Sequence, residues 1–212
     1  MSTLILASSS KYRKAQLNAL GLTVETHSPD IDESAYASEA PKALACRLAS
    51  QKAQKVGKSY PGALTLGCDQ VAVLNQHGKS VTLGKPGTRK NAIAQLSMCQ
   101  GNIVTFYSAL AVYRADSDIT LFDADVTHVQ FRTLSDKEIT DYVDAEQPLD
   151  CAGSFKCEGL GALLFEKIEG RDPNSLIGLP VMLLREMLAQ CDVDLLHLAT
   201  QAQIQKASSA RQ

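Results

Sequence analysis

An aspartate stands in the middle of an almost wholly apolar run, Leu66-Gly67-Cys68-Asp69-Gln70-Val71-Ala72-Val73-Leu74. A carboxylate is costly to bury there unless something compensates it. A strand that ends at a cleft with a carboxylate at its mouth can hold a metal ion or activate a water. The plainer alternative is an aspartate capping a nearby turn. A second chemistry-bearing stretch, Ala7-Ser8-Ser9-Ser10-Lys11-Tyr12-Arg13, follows Leu4-Ile5-Leu6 and opens a helical pattern through Ala15, Leu17 and Leu20. A hydroxyl-rich turn at a helix start offers backbone N–H groups, the positive end of the dipole and serine hydroxyls to an anion. Arg13 adds a planar fork that matches phosphate oxygens. The same turn fits equally well a plain N-cap by Ser9 or Ser10 with Arg13 on a solvated face.

Other groups are individually weak. Lys85, in Gly84-Lys85-Pro86, follows a strand, where a point charge can reach a phosphate; Lys52 lies on a helix pattern and reads equally as a solvated charge. Asp32 and Glu33 are neighbours on an acidic loop; as hard oxygen ligands they suit magnesium or manganese arriving with a triphosphate. The stretch Gly153-Ser154-Phe155-Lys156-Cys157-Glu158-Gly159 allows close backbone approach to a ligand, or is simply a flexible turn. Several cations, several carboxylates and glycine-rich approaches spread along the chain fit a phosphorylated small molecule better than a protein-binding module.

These residues need elements to hold them. Apolar runs predict strands at residues 4–6, 63–74 and 81–83, with the second central and buried on both faces. Short alternation predicts another at 22–26. Two long β runs, 103–113 and 119–133, with Asp116-Ser117-Asp118 between them, predict an antiparallel hairpin. A further strand is expected at 162–168, after the glycine-rich stretch. Helices are expected from Ser10 to Gly21, from Pro41 to Gly57, over 88–98, from the capping box at Ser135 and Glu138 to about Ala145, and over 180–190. Residues 28–40 read as a long acidic loop, 75–78 as a turn and 173–178 as a loop. Strand–helix units mixed with a late hairpin indicate an α/β domain with a mixed sheet. Residues 1–198 read as one domain and residues 199–212 as a frayed polar tail.

Composition narrows the function classes. At 212 residues and 45% hydrophobic the chain can build a sizeable core, and its net charge of −2 argues against a broad basic nucleic-acid surface. There is no tryptophan for a stacking platform, and no apolar run long enough for a membrane span. The first residues lack the pattern of a signal peptide. Six scattered cysteines without a C-x-x-C pair are read as reduced thiols of a cytoplasmic protein, and the four histidines lack zinc-site spacing.

Taken as a set, LILASSSKYR, SPDIDES, LASQKAQ, LGCDQVAVL, LGKPGT, GNIVTFYSAL, CAGSFKCEG and EGRDPNSLIGLP closely resemble the Maf family of nucleoside triphosphate pyrophosphatases, in order over residues 3–190. The resemblance implies an elongated α/β fold, related to that of the ITPases, with a cleft between two lobes. It also implies metal-dependent hydrolysis of a nucleoside triphosphate to monophosphate and diphosphate. On this reading Asp69 is the general base and a metal ligand with Glu33, the ion being magnesium or manganese. Ser8, Arg13, Lys52 and Lys85 contact phosphates. Within the family the sequence looks like the 7-methyl-GTP branch rather than the pyrimidine branch. Gln70 stands where the latter has threonine, and Glu158 where it has glutamine; Tyr12 falls where relatives of the former carry tryptophan. N7-methylated guanine is positively charged, so a carboxylate and an aromatic face suit it. Glu158 and Gln70 are expected to read the base, with Tyr12 packing against it. The rival readings are a dTTP or UTP pyrophosphatase of the same fold, a nucleotide-sensing protein linked to septum formation, and a non-specific nucleic-acid binder. The expected partner is the nucleotide alone, without a membrane or stable nucleic acid; a homodimer is left open.

Overall fold

A computed structural model describes residues 3–76 and 78–209; the reading of the first two residues, His77 in the expected turn at 75–78, and residues 210–212 of the expected tail lie outside the described residues. Among the described residues the strands form one seven-stranded mixed sheet. They are β1 (Thr3–Ala7), β2 (Glu25–Thr26), β3 (Ala63–Gln76), β4 (Lys79–Leu83), β5 (Ile103–Arg114), β6 (Ile119–Phe131) and β7 (Phe165–Gly170). The sheet order is β2-β1-β3-β5-β6-β7, with β4 paired to β3. The helices are α1 (Lys11–Ala19), α2 (Pro41–Gly57), α3 (Arg89–Cys99), α4 (Asp136–Glu146), α5 (Val181–Ala189) and α6 (Leu195–Ser209). Among the described residues no helix is long and apolar enough to cross a membrane.

Local chemistry sets most boundaries. Ser10 caps α1, accepting from the Arg13 N–H; Pro41 opens α2; and Ser135 with Glu138 makes a reciprocal capping box at α4. The almost wholly apolar β3 runs through the middle of the sheet. On one edge it pairs antiparallel with β5 from Leu64 to Leu74. The other edge is shared: β1 pairs parallel with Ala63 to Gly67, and β4 pairs antiparallel with Ala72 to Gln76. Residues 68–71 fall between these partners. Two larger hydrophobic clusters flank this interruption, one containing Leu17, Leu179 and Leu184 near α1 and α5, the other Leu96, Phe106 and Ile139 near α3 and α4.

Three elements differ from the sequence expectation. The strand expected at 22–26 shrinks to β2, because Gly21 at φ 86° and the bond from Leu22 N–H to Leu17 O turn the preceding residues into the C-terminal cap of α1. The strand expected at 162–168 begins only at Phe165. Leu160–Leu164 form a 3-10 turn, with the Leu160 N–H on Glu146 Oε1 and the Gly161 N–H on Lys156 O. The frayed tail expected from residue 199 is helix α6 through Ser209. Its alanines, glutamines and lysine are good helix formers. Asp194 accepts from the His197 N–H at its start, and Gln203 donates to Ala19 O at the end of α1.

Candidate active site

The interruption on the edge of β3 is where the site forms. The strand does not end there, as a carboxylate at a strand mouth would require. It continues, while its neighbour β1 stops at Ala7 and turns away into α1. Asp69 thus reaches a cavity of about 780 Å3 from mid-strand. Its compensation is Lys52, whose ammonium lies 2.6 Å from Asp69 Oδ1 and 2.6 Å from Glu33 Oε1. Lys52 is 6% exposed and Asp69 8%, so the alternative of a solvated lysine on the helix face is wrong.

Small residues make that pairing geometrically available. Ala45, Ala49 and Ala53 of α2 are fully buried, and the helix crosses β3 at Gly67. A Cβ on Gly67 would lie 2.1 Å from Ala49 O, so only glycine allows the approach that brings Lys52 against Asp69. Glu33 is carried by the acidic loop. Arg47 of α2 pins that loop with bonds of 2.7 Å to both Glu39 oxygens and 3.0 Å to Ser34 O. The Arg47 guanidinium holds the Glu39 carboxyl down to about 2.

The serine turn supplies the opposite wall. Ser10 is the cap, as the plain alternative holds, but Arg13 is not solvated. Its guanidinium donates to Cys68 O at 2.9 Å, Ser8 Oγ at 3.3 Å and Gly178 O at 3.0 Å. Arg13 therefore satisfies a β3 carbonyl left without a strand partner and stays at the cavity wall. Ser8 is buried, and its hydroxyl also accepts the Ser10 N–H.

Tyr12, Gln70, Lys85 and Glu158 also line it, so all nine residues given a site role by the resemblance border one cavity, whereas Asp32, offered beside Glu33 as a hard oxygen ligand, does not. Their environments differ. Tyr12 donates to Asp150 Oδ1 at 3.4 Å, and the Lys11 ammonium sits 5.0 Å from its ring centroid. Burial, with Cys151 and nearby carboxylates, pushes the Tyr12 phenol far above its ordinary value, so it stays neutral. The Gln70 amide nitrogen donates to Ser108 Oγ, Ser175 O and Leu176 O. Lys85 and Glu158 are exposed and, among the described residues, make no hydrogen bond or ion pair. The loop bearing Glu158 is nevertheless fixed rather than flexible. Phe155 packs edge-on against Phe106, Phe131 and Phe165, Ser154 Oγ donates to Gln95, and Lys156 Nζ bonds Glu146 O.

Sequence reasoning missed the groups behind this wall: Ser108, Asp125, Arg171, Asp172 and Ser175. Asp172 alone accepts from the Asn174 N–H, the Asn174 amide and the Met182 N–H, and so shapes the loop before α5. Asp125 lies in the β6 run beside Asp123 and several other polar residues, so it lacks the apolar surroundings that marked Asp69 in β3. Among the described residues no cluster of three or more His, Cys, Asp or Glu is placed to hold a metal unaided. Asp69 and Glu33, two carboxylates sharing one ammonium, are a donor pair of the kind that fits a hard divalent ion whose other ligands are phosphate oxygens.

The chain matches the family model described as "Maf-like protein" over residues 3–191. It is 49% identical to the 7-methyl-GTP pyrophosphatase of Alcanivorax borkumensis over 91% of this chain and 96% of that protein. It is 48% identical to that of Methylobacillus flagellatus over 92% of this chain and 100% of that protein. For that of Colwellia psychrerythraea the figures are 46%, 92% and 96%. The matched span takes in the serine turn, the acidic loop, Lys52, the Asp69 strand and the Glu158 loop together, and the chain belongs to the Maf family.

Proposed function

We propose that this protein is a 7-methyl-GTP pyrophosphatase, hydrolysing the α–β phosphoanhydride to give 7-methyl-GMP and diphosphate, and so removing a modified nucleotide before it enters nucleic acid. The observation that carries the reaction is the buried Asp69–Lys52 pair, joined by the exposed Glu33 carboxylate, opening onto a cavity that Arg13, Ser8 and Lys85 also line. The names of the relatives support the substrate.

Asp69 takes a proton from the attacking water. The water oxygen bonds to the α-phosphorus as the bond to the bridging oxygen breaks, and the electron pair leaves with diphosphate. Arg13 and Ser8 orient the phosphate chain from the serine turn, while Lys52 and Lys85 draw off charge as it builds on the leaving group. A magnesium or manganese ion, held by Glu33 and Asp69 together with the nucleotide's phosphate oxygens, would supply further charge neutralisation when bound. Glu158 and Gln70 accept from the N–H groups of the base edge, and Tyr12 packs against the ring. That tyrosine already attracts one cation, the Lys11 ammonium, and a methylated, positively charged purine exploits the same attraction.

Hydrolysis of 7-methyl-GTP in water enriched in heavy oxygen, followed by mass spectrometry, tests the reaction. Equimolar diphosphate and 7-methyl-GMP, with the label in the monophosphate, is the expected result. Release of 7-methyl-GDP and inorganic phosphate would overturn it.

A further inference from the structure

Three adjacent strands carry a polar residue in one cross-strand row. Gln70 of β3 lies opposite Ser108 of β5, and Ser108 lies opposite Asp125 of β6. Residues paired this way project from the same face of a sheet. Ser108 and Ser175 are fully buried and Asp125 nearly so, within an otherwise apolar core. Buried polar groups are costly unless bonded, and each member of this row is bonded, Ser108 and Asp125 both through Ser175 rather than to each other. Asp125 Oδ2 accepts from Ser175 Oγ at 2.9 Å, and Asp125 Oδ1 accepts from Arg171 Nε at 3.1 Å and Nη2 at 2.7 Å. Ser108 Oγ donates to Ser175 O at 2.6 Å.

We propose that Ser108, Asp125 and Ser175 are positioning residues for base recognition: they fix the Gln70 amide with its nitrogen inward and leave its carbonyl oxygen to face the nucleotide. The orientation follows from donor counting. Gln70 Nε2 lies 3.1 Å from Ser175 O and 3.2 Å from Leu176 O, both of which only accept. At 2.9 Å it also meets Ser108 Oγ, whose own proton is committed to Ser175 O. Turning the amide over would set its oxygen against two carbonyl oxygens. The cavity therefore receives an acceptor at position 70, and the acceptor carboxylate of Glu158 lines the same cavity. Two acceptors match guanine, which presents an N1–H and an amino group on one edge. They do not match uracil, whose single ring N–H is flanked by two carbonyls. The row thus converts a residue that can donate or accept into one that only accepts.

This inference rests on the reading that Gln70 faces the base, and its test separates the two. For wild type, Ser108→Ala, Ser175→Ala and the hydroxyl-retaining Ser108→Thr, kcat/KM is measured on 7-methyl-GTP and on UTP. In the ligand-free proteins, solvent exchange of the Gln70 side-chain amide protons is followed by NMR. Loss of either serine hydroxyl is expected to lower the 7-methyl-GTP to UTP ratio about tenfold, the scale of one buried hydrogen bond. It should also speed amide exchange about tenfold or more, with Ser108→Thr restoring both. A ratio and an exchange rate unchanged within about twofold, or equal losses on both nucleotides, would overturn the row. A wild type that does not prefer 7-methyl-GTP would overturn the substrate reading instead; the exchange rates of the ligand-free variants then decide the row alone. Should Ser108→Ala fail to fold, Ser175→Ala, which leaves the strand register intact, carries the same measurements.

Discussion

The Asp69 wall and the Glu158 wall of the cavity are built on opposite plans. At the first, the charged groups are already paired, and Lys52 and Asp69 are buried as well: Lys52 with Asp69 and Glu33, Arg13 with Ser8 and two backbone carbonyls. At the second, an exposed carboxylate with no hydrogen-bond partner among the described residues stands on a packed loop. In the proposed reaction, groups that act on phosphorus need fixed positions, and packing against the central strand supplies them for Asp69 and Lys52, though not for exposed Lys85. A group that discriminates between bases gains from being hydrated when free. Only a base with matching donors repays the water it loses, and a mismatched one leaves it stripped and unpaired.

The contrast can be broken most severely at Asp69. Asp69→Asn keeps the shape but removes the proton acceptor, and kcat should fall by roughly 10²-fold or more. Near-normal turnover in a folded variant contradicts the assignment. Gly67→Ala attacks the same wall indirectly. Its Cβ would meet Ala49 O at 2.1 Å, so α2 must shift and carry Lys52 with it. Thermal melting should show a loss of about 1–3 kcal/mol, with activity falling further than stability explains. A variant of wild-type stability and activity would mean that α2 does not need this close approach.

At the Glu158 wall the expected effects are smaller and selective. Glu158→Gln should reduce the preference for 7-methyl-GTP over GTP about tenfold, through loss of charge complementarity, while stability stays within about 0.5 kcal/mol as for other exposed sites. An unchanged preference removes Glu158 from base recognition. The mildest probe is Cys151, which also lines the cavity. Burial pushes its thiol up to about 11, so little thiolate exists near neutrality. Alkylation by iodoacetamide should be slow at neutral pH and rise with pH toward about 11, mapped by peptide mass spectrometry. Fast modification at pH ~7 would show an activated thiol instead.

How much of this was legible depended on whether a signal was local. The helix Pro41–Gly57 and the capping box at Ser135 were written in short-range chemistry, and the structure reproduces both. Asp69 was visible as a charge in an apolar strand, but its compensation by Lys52 was not, since seventeen residues separate them and only the Gly67 crossing brings them together. The serine turn carried both of its open readings at once: Ser10 caps the helix and Arg13 turns inward. The row from Gln70 to Asp125 was illegible because it depends on strand register, which no single segment encodes. The tail differs from expectation for the opposite reason. Its polar composition suggested fraying, while its helix propensity and its docking near Gly21 produced α6.

The most direct test of the central claim is diphosphate release from a panel of 7-methyl-GTP, GTP, dTTP, UTP and CTP, each with and without magnesium or manganese. The account predicts metal-dependent release with the highest kcat/KM on 7-methyl-GTP. Preference for dTTP or UTP, or no metal-dependent release from any of them, would contradict it.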